Sequence, residues 1–255
     1  MSNTITRFSN RVENYVKYRP GYPKEVLKLF RSEMGLIEAS VIADIGSGTG
    51  ISSKLFLENG NEVFAVEPNR AMRESAEESL SHFAKFHSID GVAENTGLSD
   101  KSIDFVVAAQ AFHWFDAEKT RSEFQRILRA NGFIVLIWNE RQLNANQFLR
   151  EYESFLLKFA NDYSKVRHDN VNEKFLTGFF TNGFHCKSFQ NEQALDFEGL
   201  KGRVLSSSYM PSETDPLFEP MAAELRSLFA KHAENGKIKV SYDTNIFYSQ
   251  VELCQ

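Results

Sequence analysis

The chain has 255 residues, 42% hydrophobic and 25% charged, with a formal net charge of −5. That is an ordinary globular balance, and the length suits one large domain or one domain with an insertion. The acidic balance argues against a nucleic-acid grip, which needs a basic face; two cysteines, Cys186 and Cys254, cannot make a disulfide framework or a lone zinc site.

The first thirty residues hold no apolar signal-peptide core, and the longest aliphatic run, Phe133 to Trp138, is far too short to span a bilayer. A reduced cytoplasmic setting with no membrane partner is therefore expected. The 23 phenylalanines point to an aromatic-rich core, and such residues also line apolar pockets.

Val12, Tyr15, Val16 and Tyr18 at near-helical spacing predict a helix over 11–18, broken by Arg19-Pro20-Gly21. Pro23 can open a second helix to about Met34, with Gly35 as its cap. Val41-Ile42-Ala43-Asp44-Ile45 is the apolar run of a buried parallel strand. Gly46-Ser47-Gly48-Thr49-Gly50 follows at once, and Ile51 to Asn59 read as a helix stopped by Gly60. Strand, glycine turn and helix N-terminus together present backbone N–H groups to a ligand. The turn departs from a dinucleotide fingerprint, because Gly50 comes one residue early and Ile51 occupies the last small-residue position. Asp44, at the strand end, would repel a pyrophosphate and suit an ammonium group. A nicotinamide loop with a substituted last glycine stays open as the alternative.

Glu62 to Val66 alternate into a second strand, and Asn69 caps a helix to Leu80. Glu67 lies 17 residues after Gly50, near the spacing of a carboxylate that binds a ribose diol. Phe83 to Ile89 is a third strand, ending in Asp90-Gly91-Val92-Ala93-Glu94. Ser102 to Ala109 is a fourth, followed by Gln110-Ala111-Phe112-His113-Trp114-Phe115-Asp116, an aromatic and histidine cluster where open α/β sheets meet their ligands. Asp116 caps a helix to Leu128, Arg129 to Gly132 turn, and Phe133 to Trp138 form an apolar, central fifth strand. Asn139 and Arg141 stand just past it. An amphipathic helix over 146–161 then interrupts the rhythm. Two strand-like pieces (184–189 and 193–197), helices over 200–208 and 217–234, and a final strand over 238–251 complete the chain.

Asp44-x-Gly46-x-Gly48-x-Gly50 resembles the first motif of the class I S-adenosylmethionine-dependent methyltransferases, and the whole chain resembles their methyltransferase type 11 domain. The Gln110 to Asp116 stretch, and Phe8-Ser9-x-x-Val12-Glu13-Asn14-Tyr15-x-x-Tyr18-Arg19-Pro20-x-Tyr22-Pro23, resemble the branch near trans-aconitate methyltransferase. The resemblance implies an α/β fold with a Rossmann-like seven-stranded sheet, mostly parallel, its last strand antiparallel. It implies one domain over 1–255: an N-terminal helical cap (1–40), a cofactor core (41–139), a lid and substrate insertion with helices (140–236), and a C-terminal strand (237–255).

The cofactor it implies is S-adenosylmethionine. Tyr18 and Arg19 of the cap would lie near the cofactor's carboxylate. Asp44, Gly46, Ser47, Gly48, Thr49 and Gly50 would face its aminoacid end. Glu67 and Pro68 would meet the ribose and Met72 the adenine. Val92 stands where the family commonly has an aspartate on the adenine amino group, so backbone atoms or Glu94 must replace that contact beside Ala93. Gln110 and Ala111 complete the cofactor set.

The implied partner is a small-molecule methyl acceptor, met by Tyr15, His113, Trp114, Asn139 and Arg141. A sulfonium methyl is already activated, so a base is needed only for an acceptor that arrives protonated; His113 is the candidate for that role or for positioning. If the acceptor is a small carboxylic acid, Arg19 and Arg141 are its clamps. No metal is implied. Nothing resembles the Asn/Asp-Pro-Pro-Tyr/Phe motif of the DNA amino-methyltransferases. The alternatives are an NAD(P)-dependent oxidoreductase and a non-catalytic S-adenosylmethionine-binding module.

Overall fold

The computed structural model describes residues 11–161 and 173–251. Phe8, Ser9 and Cys254 lie outside the described residues. Two helices precede the sheet, α1 (Val12–Tyr18) and α2 (Glu25–Met34), the second closed by Gly35 in the left-handed conformation. The βα units follow as β1 (Val41–Ile45), α3 (Ile51–Glu58), β2 (Glu62–Val66), α4 (Arg70–Leu80), β3 (Phe86–Ile89), β4 (Ile103–Ala109), α5 (Ala117–Ile127) and β5 (Leu128–Arg141). Beyond them come α6 (Gln147–Phe159), α7 (Glu173–Phe179), β6 (His185–Leu195), α8 (Phe197–Leu205), α9 (Phe218–His232) and β7 (Ile238–Gln250).

Local chemistry explains four helix starts. The side chains of Asn69, Asp116, Asn146 and Asp196 accept from the backbone N–H groups of Met72, Lys119, Leu149 and Gly199. Each satisfies one donor that the first turn leaves unpaired.

The seven strands form one sheet in the order β3-β2-β1-β4-β5-β7-β6. Pairs among β1 to β5 are parallel, and β7 runs antiparallel to both β5 and β6. One face packs α2, α3 and α4 through Phe30, Phe56 and Leu80 onto Ile42, Val63 and Phe105. The other packs α5 and α7 through Phe124, Ile127 and Phe179 onto Ala43, Val106 and Leu136. A third cluster joins α6, α8 and α9 over the start of β7, around Tyr152, Leu200, Leu225 and Tyr242.

Two sequence expectations change. The pieces over 184–189 and 193–197 are one strand, β6, because β7 offers it partners without a break from Tyr248 to Ile238; residues 185–195 of the expected lid insertion are therefore sheet. The fifth strand also runs past both ends of the expected 133–138, starting at Leu128 so that Arg129 to Gly132, expected as a turn, fall within it at a register shift, and continuing past Trp138. β7 pairs with Asn139 through Thr244 and with Arg141 through Tyr242, so both residues stand on β5.

Candidate active site

A cavity of about 690 Å³ opens over the carboxyl ends of β1, β2, β4 and β5, roofed by α1 and α8. Its position is the usual one for a ligand on an open α/β sheet. The turn after β1 forms one wall. Gly46, Gly48 and Gly50 have φ of 69°, 57° and 82°. Each glycine does a different job. A Cβ on Gly46 would sit 2.6 Å from Ala111 Cβ, so this residue lets the β1 and β4 loops approach. A Cβ on Gly50 would sit 2.5 Å from Leu80 Cδ1, so this one lets α3 pack on α4. Gly48 meets nothing, and it is the left-handed backbone there that favours glycine.

Glu67 locks this turn. Its Oε2 accepts from Gly48 N at 2.9 Å and its Oε1 from Asn69 N at 2.8 Å. Burial raises its pKa, and those two N–H groups oppose the shift. Each oxygen keeps a second lone pair for a hydroxyl. Pro68, Met72, Val92, Ala93 and Glu94 continue the wall. Glu94 Oε1 accepts from Asp116 N at 2.8 Å, tying this loop to the start of α5.

Past β4, Gln110 adopts φ 59°, uncommon outside glycine, and its N donates to Ile137 O at 2.8 Å. Ala111, His113 and Trp114 follow on the wall, with the His113 and Trp114 ring centroids 4.6 Å apart. Asn139 and Arg141 reach the cavity from β5, Tyr15 and Arg19 from the roof.

A methyltransferase-domain profile matches residues 43–136, which hold the glycine turn and the β4 loop. Residues 43–136 are a methyltransferase domain. An uncharacterized methyltransferase-like protein of Schizosaccharomyces pombe is 27% identical over 97% of this chain and 96% of its own length. An uncharacterized methyltransferase of Mycobacterium tuberculosis is 34% identical over 52% of each chain, so this match spans about half of either protein. Among solved structures, a protein from Anaeromyxobacter dehalogenans described as a type II methyltransferase superposes with a TM-score of 0.69 at 21% identity, over 92% of this chain and 99% of that one. The fold is that of the class I methyltransferases, and the antiparallel β7 between β5 and β6 separates it from the parallel dinucleotide-binding order. The oxidoreductase alternative is set aside on these grounds.

The methyltransferase does not bring every expected residue to the cavity. Asp44 lies beneath the turn, with no exposed surface, and its Oδ2 accepts from Ser52 Oγ at 2.7 Å and Ser53 Oγ at 2.6 Å. It binds the start of α3 to β1. Burial raises its pKa to about 6, partly opposed by the Ser53 and Ser52 hydroxyls. Thr49 and Gly50 are also buried behind the turn. Tyr18 points away, into a notch at Gly202 of α8.

Two other expected residues arrive with their polar atoms engaged. The Asn139 amide donates to Gly21 O at 3.1 Å and accepts from Thr244 Oγ1 at 2.6 Å. Arg141 forms an ion pair with Glu153 and lies over the Tyr152 ring at 5.0 Å.

The methyltransferase also brings in Tyr22, which the cap motif holds without a stated role, and adds residues that no motif announced: Asn69, Arg203, Tyr209 and Tyr242 line the same cavity. Arg203 comes from the region where sequence patterning is weakest, and Tyr242 from the alternating final strand. Their one signal was an arginine inside an apolar helix stretch and a tyrosine on the buried side of an alternating strand.

Proposed function

We propose that this methyltransferase moves a methyl group from S-adenosylmethionine to a small-molecule acceptor, a small carboxylic acid, by direct in-line transfer. One observation carries the reading: the glycine turn with its Glu67 lock and the aromatic, arginine-bearing end line one continuous cavity. Cofactor and acceptor can thus be neighbours. The residues fit the cofactor. Ser47 Oγ is buried in the wall without a hydrogen-bond partner, and Glu67 presents two carboxylate oxygens to a diol. A phosphoethanolamine N-methyltransferase of Haemonchus contortus, of like fold (TM-score 0.53, 15% identity, 99% of this chain and 57% of that one), holds S-adenosylmethionine.

In this reading Gly46 to Gly48, Glu67, Pro68, Met72 and the 92–94 loop hold the cofactor, with Arg19 at its carboxylate. S-adenosylmethionine supplies a methyl group already activated by the sulfonium. The chain's own residues align the acceptor and exclude water, which is where the rate enhancement of such a displacement arises. Tyr15, Tyr22 and Trp114 form the dry wall. His113 orients the acceptor; a carboxylate needs no base, so His113→Asn is expected to lower kcat less than about tenfold and leave its pH dependence unchanged. A lost acidic limb in that variant would instead make His113 a base.

The deciding experiment is calorimetric titration with S-adenosylhomocysteine beside NADH and NADPH. Binding of S-adenosylhomocysteine alone, weakened at least tenfold by Glu67→Ala, is the expected result. Binding of a nicotinamide nucleotide in its place would overturn the reading.

A further inference from the structure

We propose that Arg203 is the specificity-determining residue of the acceptor end, holding the acceptor's carboxylate. This rests on the methyl-transfer reading above and deepens it. The carbonyl end of α8 gathers three guanidinium groups, and two of them have evident structural work. Arg11 donates to Leu205 O at 2.7 Å, Ser207 O at 2.9 Å and Met210 O at 2.7 Å. Arg19 donates to Ser206 O at 2.9 Å and stacks 4.7 Å over the Tyr15 ring. Leu205 O and Ser206 O are carbonyls at the end of α8, where the helix leaves them unpaired, and Ser207 O and Met210 O belong to the segment that follows.

Arg203 is different. It lines the cavity, and its bonds go to two neutral hydroxyls at long range, Ser207 Oγ at 3.2 Å and Tyr242 Oη at 3.4 Å. A guanidinium carries five donors in a planar fork. Among the described residues no carboxylate pairs with it, and its charged neighbour is another cation, Arg19. The other groups that face it are phenols, Tyr152, Tyr209 and Tyr242.

Four of the five carboxylates that line the cavity are turned to other tasks, Asp116 among them as the cap of α5, and the fifth, Glu140, is exposed. Glu67 holds the glycine turn, Glu94 accepts from Asp116 N, and Asp243 accepts from Gln142 Nε2 at 2.8 Å. Arg141, the expected clamp, is paired with Glu153. A half-buried cation beside a like charge, without an anion, is costly. An anion brought by the ligand offsets that cost, and a fork of N–H groups suits a planar carboxylate. With Arg19 at the cofactor end, Arg203 is the cation left for the acceptor.

The test titrates acetate, benzoate, succinate and citrate, with succinamide as the neutral control, into protein saturated with S-adenosylhomocysteine. Arg203→Met and Arg203→Lys are run beside the wild type, with melting curves of each unliganded protein. The expected result has four parts. At least one carboxylate binds the wild type and succinamide does not. Arg203→Met weakens that carboxylate at least tenfold, Arg203→Lys restores part of the loss, and S-adenosylhomocysteine affinity holds in both variants. The unliganded Arg203→Met protein melts no lower than the wild type, an outcome that a merely structural role for Arg203 would not give.

Equal carboxylate binding in Arg203→Met and wild type would overturn the proposal. So would a tenfold loss of S-adenosylhomocysteine affinity in Arg203→Met, which would move the residue to the cofactor, and so would a wild type that binds S-adenosylhomocysteine but no carboxylate. A wild type that fails to bind S-adenosylhomocysteine overturns the methyl-transfer reading itself, and the role of Arg203 with it.

Discussion

Gly50 shows how a motif residue can be fixed by packing alone. Its left-handed φ costs a side-chain-bearing residue about 1–2 kcal/mol, and a Cβ 2.5 Å from Leu80 Cδ1 adds overpacking of about 1–3 kcal/mol. Gly50→Ala is expected to lower stability by about 2–5 kcal/mol in urea unfolding, against about 1–2 kcal/mol for Gly48→Ala, where the new Cβ meets open space. Equal costs at the two positions would show that Leu80 moves aside.

Asp44 supplies a pH dependence of its own. Its carboxyl titrates near 6 in the fold against an ordinary 3.8. Between those values the folded chain holds a proton that the unfolded chain lacks, so stability falls as pH rises through that window. The penalty is complete above pH 6 and amounts to about 3 kcal/mol. Asp44→Asn, which can still accept from Ser52 and Ser53, is expected to stabilise the protein more at pH 7.5 than at pH 5. Denaturant midpoints at the two pH values check this, and a gain that does not change with pH would contradict it.

At the scale of elements, α1 stands apart because it has no buried residue. Polar clasps hold it to the roof: the three bonds of Arg11, the bond of Gln193 Nε2 to Tyr18 O at 3.1 Å, and the Tyr18 ring in its notch at Gly202. A Cβ on Gly202 would fall 2.0 Å from that ring. Gly202→Ala is therefore expected to dislodge Tyr18 and raise tryptic cleavage after Lys17 severalfold; Arg19 precedes Pro20 and is not a tryptic site. The global unfolding free energy changes by less than about 1 kcal/mol, since the substitution also favours helix. Unchanged cleavage would mean that Tyr18 does not hold α1 in place.

At the scale of the whole molecule, ligand and fold share one free energy. The cavity draws on β1, β2, β4, β5 and the α1–α8 roof, so a ligand that bridges them binds the folded state only. S-adenosylhomocysteine at a hundred times its Kd is expected to stabilise the protein by about 2.7 kcal/mol, read as a rise in Tm, while NADH at the same concentration leaves Tm unchanged. Acid acts in the other direction. Glu123 is held at about 2, despite the opposing effect of burial, by Arg126 and by the hydroxyl and N–H of Thr96. Its contribution is present above its ordinary value of 4.5 and disappears as pH falls through 2. Through Thr96, Glu123 also steadies the segment that follows the 92–94 wall of the cavity.

The sequence by itself determined what depends on near neighbours. The caps at Asn69 and Asp116 were legible because each needs only its own side chain and a backbone N–H three residues on. The apolar run before Gly46, and the seven-stranded sheet with an antiparallel last strand, were legible through periodicity and resemblance, since a strand buried on both faces leaves a continuous apolar signature. Tertiary structure alone decided where side chains point. Asp44 turned beneath the loop because Ser52 and Ser53, eight and nine residues on, fold back over it. Tyr18 turned from the cavity into a notch made by a glycine 184 positions later in the chain. β6 became one strand only because β7 lay beside it, and Arg203 met Tyr242 only because α8 crosses the start of that same strand. Such contacts join residues far apart in the chain, and no local periodicity carries them, because packing between elements sets them.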